Sequence, residues 1–219
     1  KLLSYSSDSL KRFGFESNEE MNAFRYTDFG YQQFMEAAKK EAYFKNTIFV
    51  FVGDHGIRYN GSLEYFPKAW TEQGLTCEHV PLLFYAPGLL KPQRISSVAS
   101  QIDILPTIAS LAKIPYNNTS LGQNLFDTAA IPPYQFAPVY KEHYAFVIDH
   151  DVHTIGLVSD QYYYLKNLKT GKEEFVSMKN NDPIPVNEAT EKQKKDLQKL
   201  TDAYYETAKY LLLNNKKKQ

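Results

Sequence analysis

The ten residues Thr47-Ile48-Phe49-Val50-Phe51-Val52-Gly53-Asp54-His55-Gly56 limit the fold more than any other stretch of the chain. Thr47–Val52, rich in β-branched and aromatic side chains, shows no polar alternation and reads as a strand buried on both faces. The run stops at Gly53, and Gly53 and Gly56 allow a sharp turn and a close approach of ligand to backbone. In open α/β sheets, ligands bind just beyond the carboxyl ends of strands. A carboxylate and an imidazole at such an edge, Asp54 and His55, suit two ligands of a divalent metal. The same pair also fits a plain strand-to-loop turn, with Asp54 capping the next segment and His55 half buried.

The flanking residues supply an αβ unit. Lys1 to Glu16 is polar and Ser-rich and reads as a loop. Ser17 or Asn18 caps a helix whose first turn carries Glu19 and Glu20, favourable against the helix dipole. Met21, Phe24, Tyr31, Phe34, Met35 and Ala38 then keep helical spacing to about Glu41. Asp28 lies on that stripe, either as a group supporting the site or as a hydrogen-bonded polar residue at the core edge. A helix leading into Thr47–Val52 implies parallel pairing with an earlier strand. Residues 1–16 contain no apolar run to provide it, so the sheet is incomplete as written, and its partner strands are expected upstream or on another chain.

After the strand, Ile57 to Thr76 is a long insertion containing Gly61, Pro67 and Gly74, of a length that suits a functional loop. Arg58, Tyr59, Tyr65 and Trp70 make it a candidate rim for a substrate pocket, while Trp70 equally suits ordinary loop packing. His79 stands at the start of a second strand, around Val80–Tyr85. It reaches the Asp54–His55 end only if this strand runs antiparallel to the first. Asp103 precedes Ile104-Leu105-Pro106 and reads as the N-cap of a helix to about Lys113, since proline in a first turn costs no hydrogen bond.

Pro132-Pro133 marks a boundary, giving expected domains 1–134 and 135–219. Val139-Tyr140, Tyr144–Ile148, Thr154–Val158, Tyr162–Leu165 and Glu174–Val176 read as short strands of an antiparallel sheet. A helix from about Glu188 to Leu213 follows, with Leu197, Leu200, Ala203, Tyr204, Ala208 and Leu211 inward. Asp149-His150-Asp151-Val152-His153 holds four metal-capable side chains, but its place between two strands suits a polar hairpin turn.

Lys plus Arg and Asp plus Glu both number 25, a balance that argues against nucleic acid as main partner. The solitary Cys77 excludes an internal disulfide framework and a cysteine zinc cluster. No apolar run approaches the roughly 20 residues needed for a transmembrane helix.

Gly53-Asp54-His55-Gly56 after an apolar strand resembles the metal-binding strand end of the alkaline phosphatase and sulfatase superfamily. Val80–Gly88, Gln101–Ile108 and Ser120–Phe126 resemble, in order, the superfamily's next core strand, the following helix and the loop that closes the domain. Arg25-Tyr26-Thr27-Asp28, Tyr43–Ile48 and Ala208–Asn215 are similar to the lipoteichoic-acid-synthase-like branch, the phosphoglycerol transferases. The resemblance implies the C-terminal portion of an α/β/α sandwich, followed by a small antiparallel sheet and a long C-terminal helix.

The resemblance also implies a chemistry. Asp54 and His55 become metal ligands, and His79 the basic residue near the substrate anion, against the alternative of a surface histidine. No nucleophile is assigned within the segment: a threonine, or in sulfatases a modified residue of a Cys/Ser-x-Pro-x-Arg motif, is expected upstream, with the remaining ligands. The metal is manganese or magnesium, calcium if the protein is a sulfatase, with zinc as a further option. The substrate is a phospholipid or another phosphoester or sulfate ester. Leu75-Thr76-Cys77-Glu78-His79 lacks the lysine and Gly-Gly-x-Arg run typical of sulfatases, which favours phosphoglycerol or phosphoethanolamine transfer, or phosphodiester hydrolysis, over sulfate-ester hydrolysis. A binding module without chemistry is the contrasting reading. The family places such domains outside a bacterial cytoplasmic membrane, behind upstream anchoring helices, and the isolated 219 residues are expected to be inactive.

Overall fold

The computed structural model describes residues 2–57, 62–115, 117–126 and 143–215. The chain forms two compact units, Lys1–Arg94 and Ile95–Gln219. The boundary expected at 134/135 lies outside the described residues, as do Arg58, Tyr59 and the Val139-Tyr140 strand.

In the first unit, the segment expected to be a loop contains a helix, α1 (Ser7–Phe13). The Ser6 side chain accepts from the Ser9 amide, Asp8 lies in the first turn, Lys11 and Arg12 lie in the last, and Gly14 closes the helix at φ 80°. These are ordinary start and stop signals for a helix. The serine-rich composition hid them. Helix α2 (Asn18–Ala38) begins as expected, with Ser17 accepting from the Glu20 amide. Asn18 and Asn22 reach back to the main chain of Tyr5 and Leu3, fastening the leading segment to α2.

Strand β1 (Phe49–Val52) pairs antiparallel with β2 (Leu82–Tyr85), Phe49 opposite Tyr85 and Val52 opposite Leu82. Helix α2 packs on β1 through Tyr31 against Phe51 and Phe34 against Phe49, both edge-on. β1 is not buried on both faces as its sequence suggests. Only Phe49 is buried, while Val52 and Leu83 of β2 are exposed. One helix covers the ribbon only in part: Leu83, opposite Phe51 on the α2 side, stays open, as does Val52 on the other face. Phe24, Tyr31 and Phe34 on α2 are likewise about half exposed. Asp28 is exposed too, so it does not sit at a core edge.

The second unit holds α4 (Ile104–Leu111), introduced by a 3₁₀ turn over Gln101–Asp103, then a four-stranded antiparallel sheet and a long helix. (Helix α3, Leu75–Glu78, belongs to the first unit.) The strands are β3 (Ala145–Asp149), β4 (Thr154–Val158), β5 (Tyr162–Asn167) and β6 (Glu173–Ser177), each paired with the next. Three short turns connect them, the one between β5 and β6 using Gly171 at φ 70°.

Helix α5 (Glu188–Asn214) lies on this sheet, capped by Asn187, whose side chain accepts from the amides of Ala189 and Thr190. Leu157, Tyr164 and Leu197 form the buried centre, with Phe146, Phe175, Leu200 and Tyr204 packed around it. Ala203, expected inward, is exposed. The stripe that meets the sheet runs instead through Thr201, fully buried, whose hydroxyl donates to the Leu197 carbonyl at 2.7 Å. A threonine can enter a helix interface when its hydroxyl returns to the preceding turn. Lys166 on β5 and Asp202 on α5 add an ion pair of 2.7 Å at the rim.

Asp103 is not a simple N-cap. Ser100 starts the capping box, and the buried Asp103 carboxylate accepts from the Ser100 amide at 2.8 Å and the Gln123 amide at 2.8 Å. Thr107 Oγ1 accepts from the Leu125 amide, and Asn124 Nδ2 donates to Ser110 Oγ. The loop over 120–126 is thus bound down along α4. Gly122 is required there, because a Cβ would lie 1.9 Å from the Ile102 carbonyl oxygen. Burial pushes the Asp103 carboxyl up, against the opposing pull of those two amides and of His143.

Candidate metal and substrate site

β1 ends at Val52, and the next residue still follows the pairing, with the Gly53 amide donating to the Pro81 carbonyl at 3.3 Å. No side chain is tolerated easily at Gly53, where a Cβ would stand 3.0 Å from Val80. Asp54 and His55 follow at the open end. The Asp54 carboxylate accepts from the His55 amide at 2.9 Å, and its other oxygen lies 4.0 Å from His55 Nε2. His55 Nδ1 donates to the Gly56 carbonyl at 2.8 Å, since a carbonyl can only accept. In the neutral ring Nε2 therefore keeps its lone pair, on the side facing Asp54.

These side chains are 92% and 77% exposed, so the half-buried turn histidine weighed from the sequence is not what forms. Backbone amides, first that of His55, hold the Asp54 carboxyl below its ordinary value. The Gly56 carbonyl first, and then the Asp54 charge, hold the His55 imidazole above its own. A carboxylate oxygen and a ring nitrogen 4.0 Å apart can bridge one cation with bonds of about 2.0–2.4 Å. The donor set thus fits two ligands of a divalent ion. Among the described residues no group of three or more His, Cys, Asp or Glu forms a cation site.

The insertion after the site returns through a short helix that the sequence did not announce, α3 (Leu75–Glu78), entered by Gly74 at φ 71°. His79 ends it, its amide donating to the Leu75 carbonyl at 2.9 Å. Because β1 and β2 are antiparallel, the start of β2 lies at the same end as the end of β1. This meets the condition set for His79 to reach the site. The Gly56 amide donates to the Cys77 carbonyl at 2.6 Å, so the Asp54–Gly56 loop lies against α3.

Trp70, half-buried, meets the His79 ring edge-on at 5.0 Å between centroids. Two of the expected substrate residues are therefore neighbours. Arg58, the third, lies outside the described residues. Tyr65, proposed for the same rim, instead packs under Arg12 of α1 at 5.8 Å and lines a cleft with α1 residues.

The Asp149–His153 run is a hairpin turn between β3 and β4. Asp149 Oδ1 accepts from the amides of Asp151 and Val152, and His153 takes φ 55°. The carboxylate closest to the strand is occupied in shaping the turn.

Residues 16–114 match the family model described as Sulfatase. Arylsulfatase K of Gallus gallus is 31% identical over 127 residues, 56% of this chain and 23% of that protein. The lipoteichoic acid synthase-like YvgJ of Bacillus subtilis (strain 168) is 28% identical over 114 residues, 48% of this chain and 17% of that protein. The chain thus spans about a quarter or less of the relatives it matches. Among solved structures, BT1596, a 2-O GAG sulfatase, superposes with a TM-score of 0.51 at 22% identity, covering 75% of this chain and 37% of that one. BT4656 in complex with D-glucosamine-2-N,6-O-disulfate gives 0.50 at 19%, covering 86% and 39%. These two likenesses speak to the fold alone. The likeness to the sulfatase family is thus carried by residues 16–114, rather less than half of the chain.

Proposed function

We propose that this chain supplies the metal-facing C-terminal portion of an esterase domain that acts on tetrahedral oxyanion esters, with a sulfate ester as the leading substrate class. The observation that carries the reading is the placement of Asp54, His55 and His79 at one end of an antiparallel β1–β2 pair. A bound divalent ion would supply Lewis acidity toward the ester oxygens. Asp54 and His55 would hold it, with calcium expected for a sulfatase. His79 would donate a hydrogen bond to a substrate oxygen, and Trp70 would fix its ring. Arg58 is proposed as a second anion contact.

Sulfate is placed first because the family match and the arylsulfatase K relatives weigh that way. Phosphoester transfer or hydrolysis, with manganese or magnesium, is the second reading. It is favoured by the Leu75–His79 run and by the synthase-like relative. Under that reading the protein works on membrane or cell-envelope phosphoesters outside a bacterial cytoplasmic membrane, anchored by helices elsewhere in the protein. Among the described residues no helix is long and apolar enough to cross a membrane.

The remaining ligands and the nucleophile are assigned to a part of the protein preceding this segment. The half-open apolar surfaces of α2, β1 and β2 support this, since they are what further strands of one sheet would cover. The test is an assay of the complete protein against an aryl sulfate and a phosphodiester, with Asp54→Ala and His55→Ala alongside. Loss of turnover in both variants supports the site, and the substrate turned over selects the branch. Unchanged turnover in both variants would leave a binding module as the surviving reading.

A further inference from the structure

Gly56 contacts both halves of the site through its main chain. Its carbonyl oxygen accepts from His55 Nδ1 at 2.8 Å, and its amide donates to the Cys77 carbonyl at 2.6 Å. A Cβ at this position would stand 1.9 Å from the Thr76 carbonyl oxygen and 3.0 Å from that of His79. Glycine is therefore demanded here by close backbone approach. At the neighbouring Gly53 a Cβ would meet side-chain atoms of Val80 at 3.0 Å, a less severe approach than the 1.9 Å at Gly56.

We propose that Gly56 is a positioning residue with two functions: its carbonyl selects the His55 tautomer that leaves Nε2 as the donor beside Asp54, and its amide ties that donor to α3, which carries His79. The inference rests on the reading of Asp54 and His55 as a cation pair. A free histidine side chain in water favours the proton on Nε2, and a hydrogen bond to one ring nitrogen decides which tautomer is held. The outward-facing His55 side chain, 77% exposed, is oriented by its contacts with Gly56 and Asp54. The ring is thereby aimed before any ligand arrives. Because the same glycine is bonded to Cys77, a shift of α3 moves the imidazole and His79 together.

The decisive measurement is made on the unsubstituted protein, with one variant used only for assignment. Nitrogen-15 correlation spectra of the histidine rings, recorded above the His55 pKa and assigned with His55→Gln, report which ring nitrogen carries hydrogen. The expected result is a His55 ring with the proton mainly on Nδ1, and a majority of the Nε2–H form overturns the proposal. Gly56→Ala is expected to return the ring towards the Nε2–H form while the circular dichroism spectrum is kept. If that variant fails to fold, the unsubstituted protein still decides the matter. Mn²⁺ added to the complete protein separates the positioning role from the metal reading. A ring held as Nδ1–H but not broadened by Mn²⁺ supports the positioning and removes the metal. A ring broadened by Mn²⁺ but found as Nε2–H overturns the positioning and keeps the metal.

Discussion

The indole of Trp70 meets the imidazole of His79 edge-on, with planes at 77° and centroids 5.0 Å apart. Trp70 comes from the insertion after β1 and His79 from the C-cap of α3, just before β2, so the contact closes the long loop onto the sheet end. It gives the insertion a fixed position at the site.

Replacing Trp70 by Ala is expected to remove about 1 kcal/mol of ring–ring interaction, besides the buried area lost. Urea unfolding should show the midpoint fall, with Trp70→Phe recovering much of it. In the complete protein the variant should raise KM more than it lowers kcat, because the histidine is loosened and not removed. Equal kcat and KM in variant and parent would mean that the loop does not serve the substrate.

Cation binding at Asp54 and His55 should depend on pH in a defined direction. The Gly56 carbonyl and the Asp54 charge raise the His55 pKa above 6.5, so the proton competes with a cation at Nε2 over that range. Affinity for Mn²⁺ is expected to be flat above the raised pKa and to fall about tenfold per pH unit below it. The Asp54 carboxyl, held below 3.8, stays ionised throughout and adds no second step. Calorimetric titration of the complete protein at several pH values tests this, and an affinity constant through the His55 transition would remove His55 from the ligand set.

Asp103 should act on stability in the opposite sense from a salt-bridged carboxylate. Its folded pKa is raised above 3.8, chiefly by burial. Its contribution is thus fully present below the unfolded value and declines as pH rises through the folded one. Asp103→Ala removes the acceptor of the Ser100 and Gln123 amides, at about 1–3 kcal/mol for each amide left buried and unpaired. The difference between parent and variant should be larger near about pH 3 than near about pH 7 in urea unfolding. A difference that grows with pH would show that the amides and His143 outweigh desolvation.

Leu197 bridges α5 to the sheet centre formed by Leu157 and Tyr164. Leu197→Ala is expected to cost about 2–5 kcal/mol through lost transfer energy and the cavity left behind. The same substitution at exposed Leu212 should be nearly silent. Thermal unfolding of the two variants measures the contrast.

The sequence alone determined the elements that rest on local periodicity and capping. Ser17 starting α2, the strands over Thr154–Val158 and Tyr162 onward, and the long helix from Glu188 all follow from side chains within a few residues. The pairing of Asp54 with His55 was equally legible, because adjacent residues at a strand end need no long-range contact to lie together. Only the tertiary structure decided that His79 lies at the same end of the strand pair as Asp54 and His55, since that depends on the relative direction of β1 and β2, set by main-chain pairing between residues some thirty positions apart. Tertiary contacts likewise drew Tyr65 away to Arg12 and placed Trp70 on His79. Asp103 holds the expected N-cap position of α4, but tertiary contacts turned its side chain into the buried acceptor for a loop twenty residues on. In each case the partner is chosen by which surfaces meet after the strands have paired, and a local pattern holds no record of that choice.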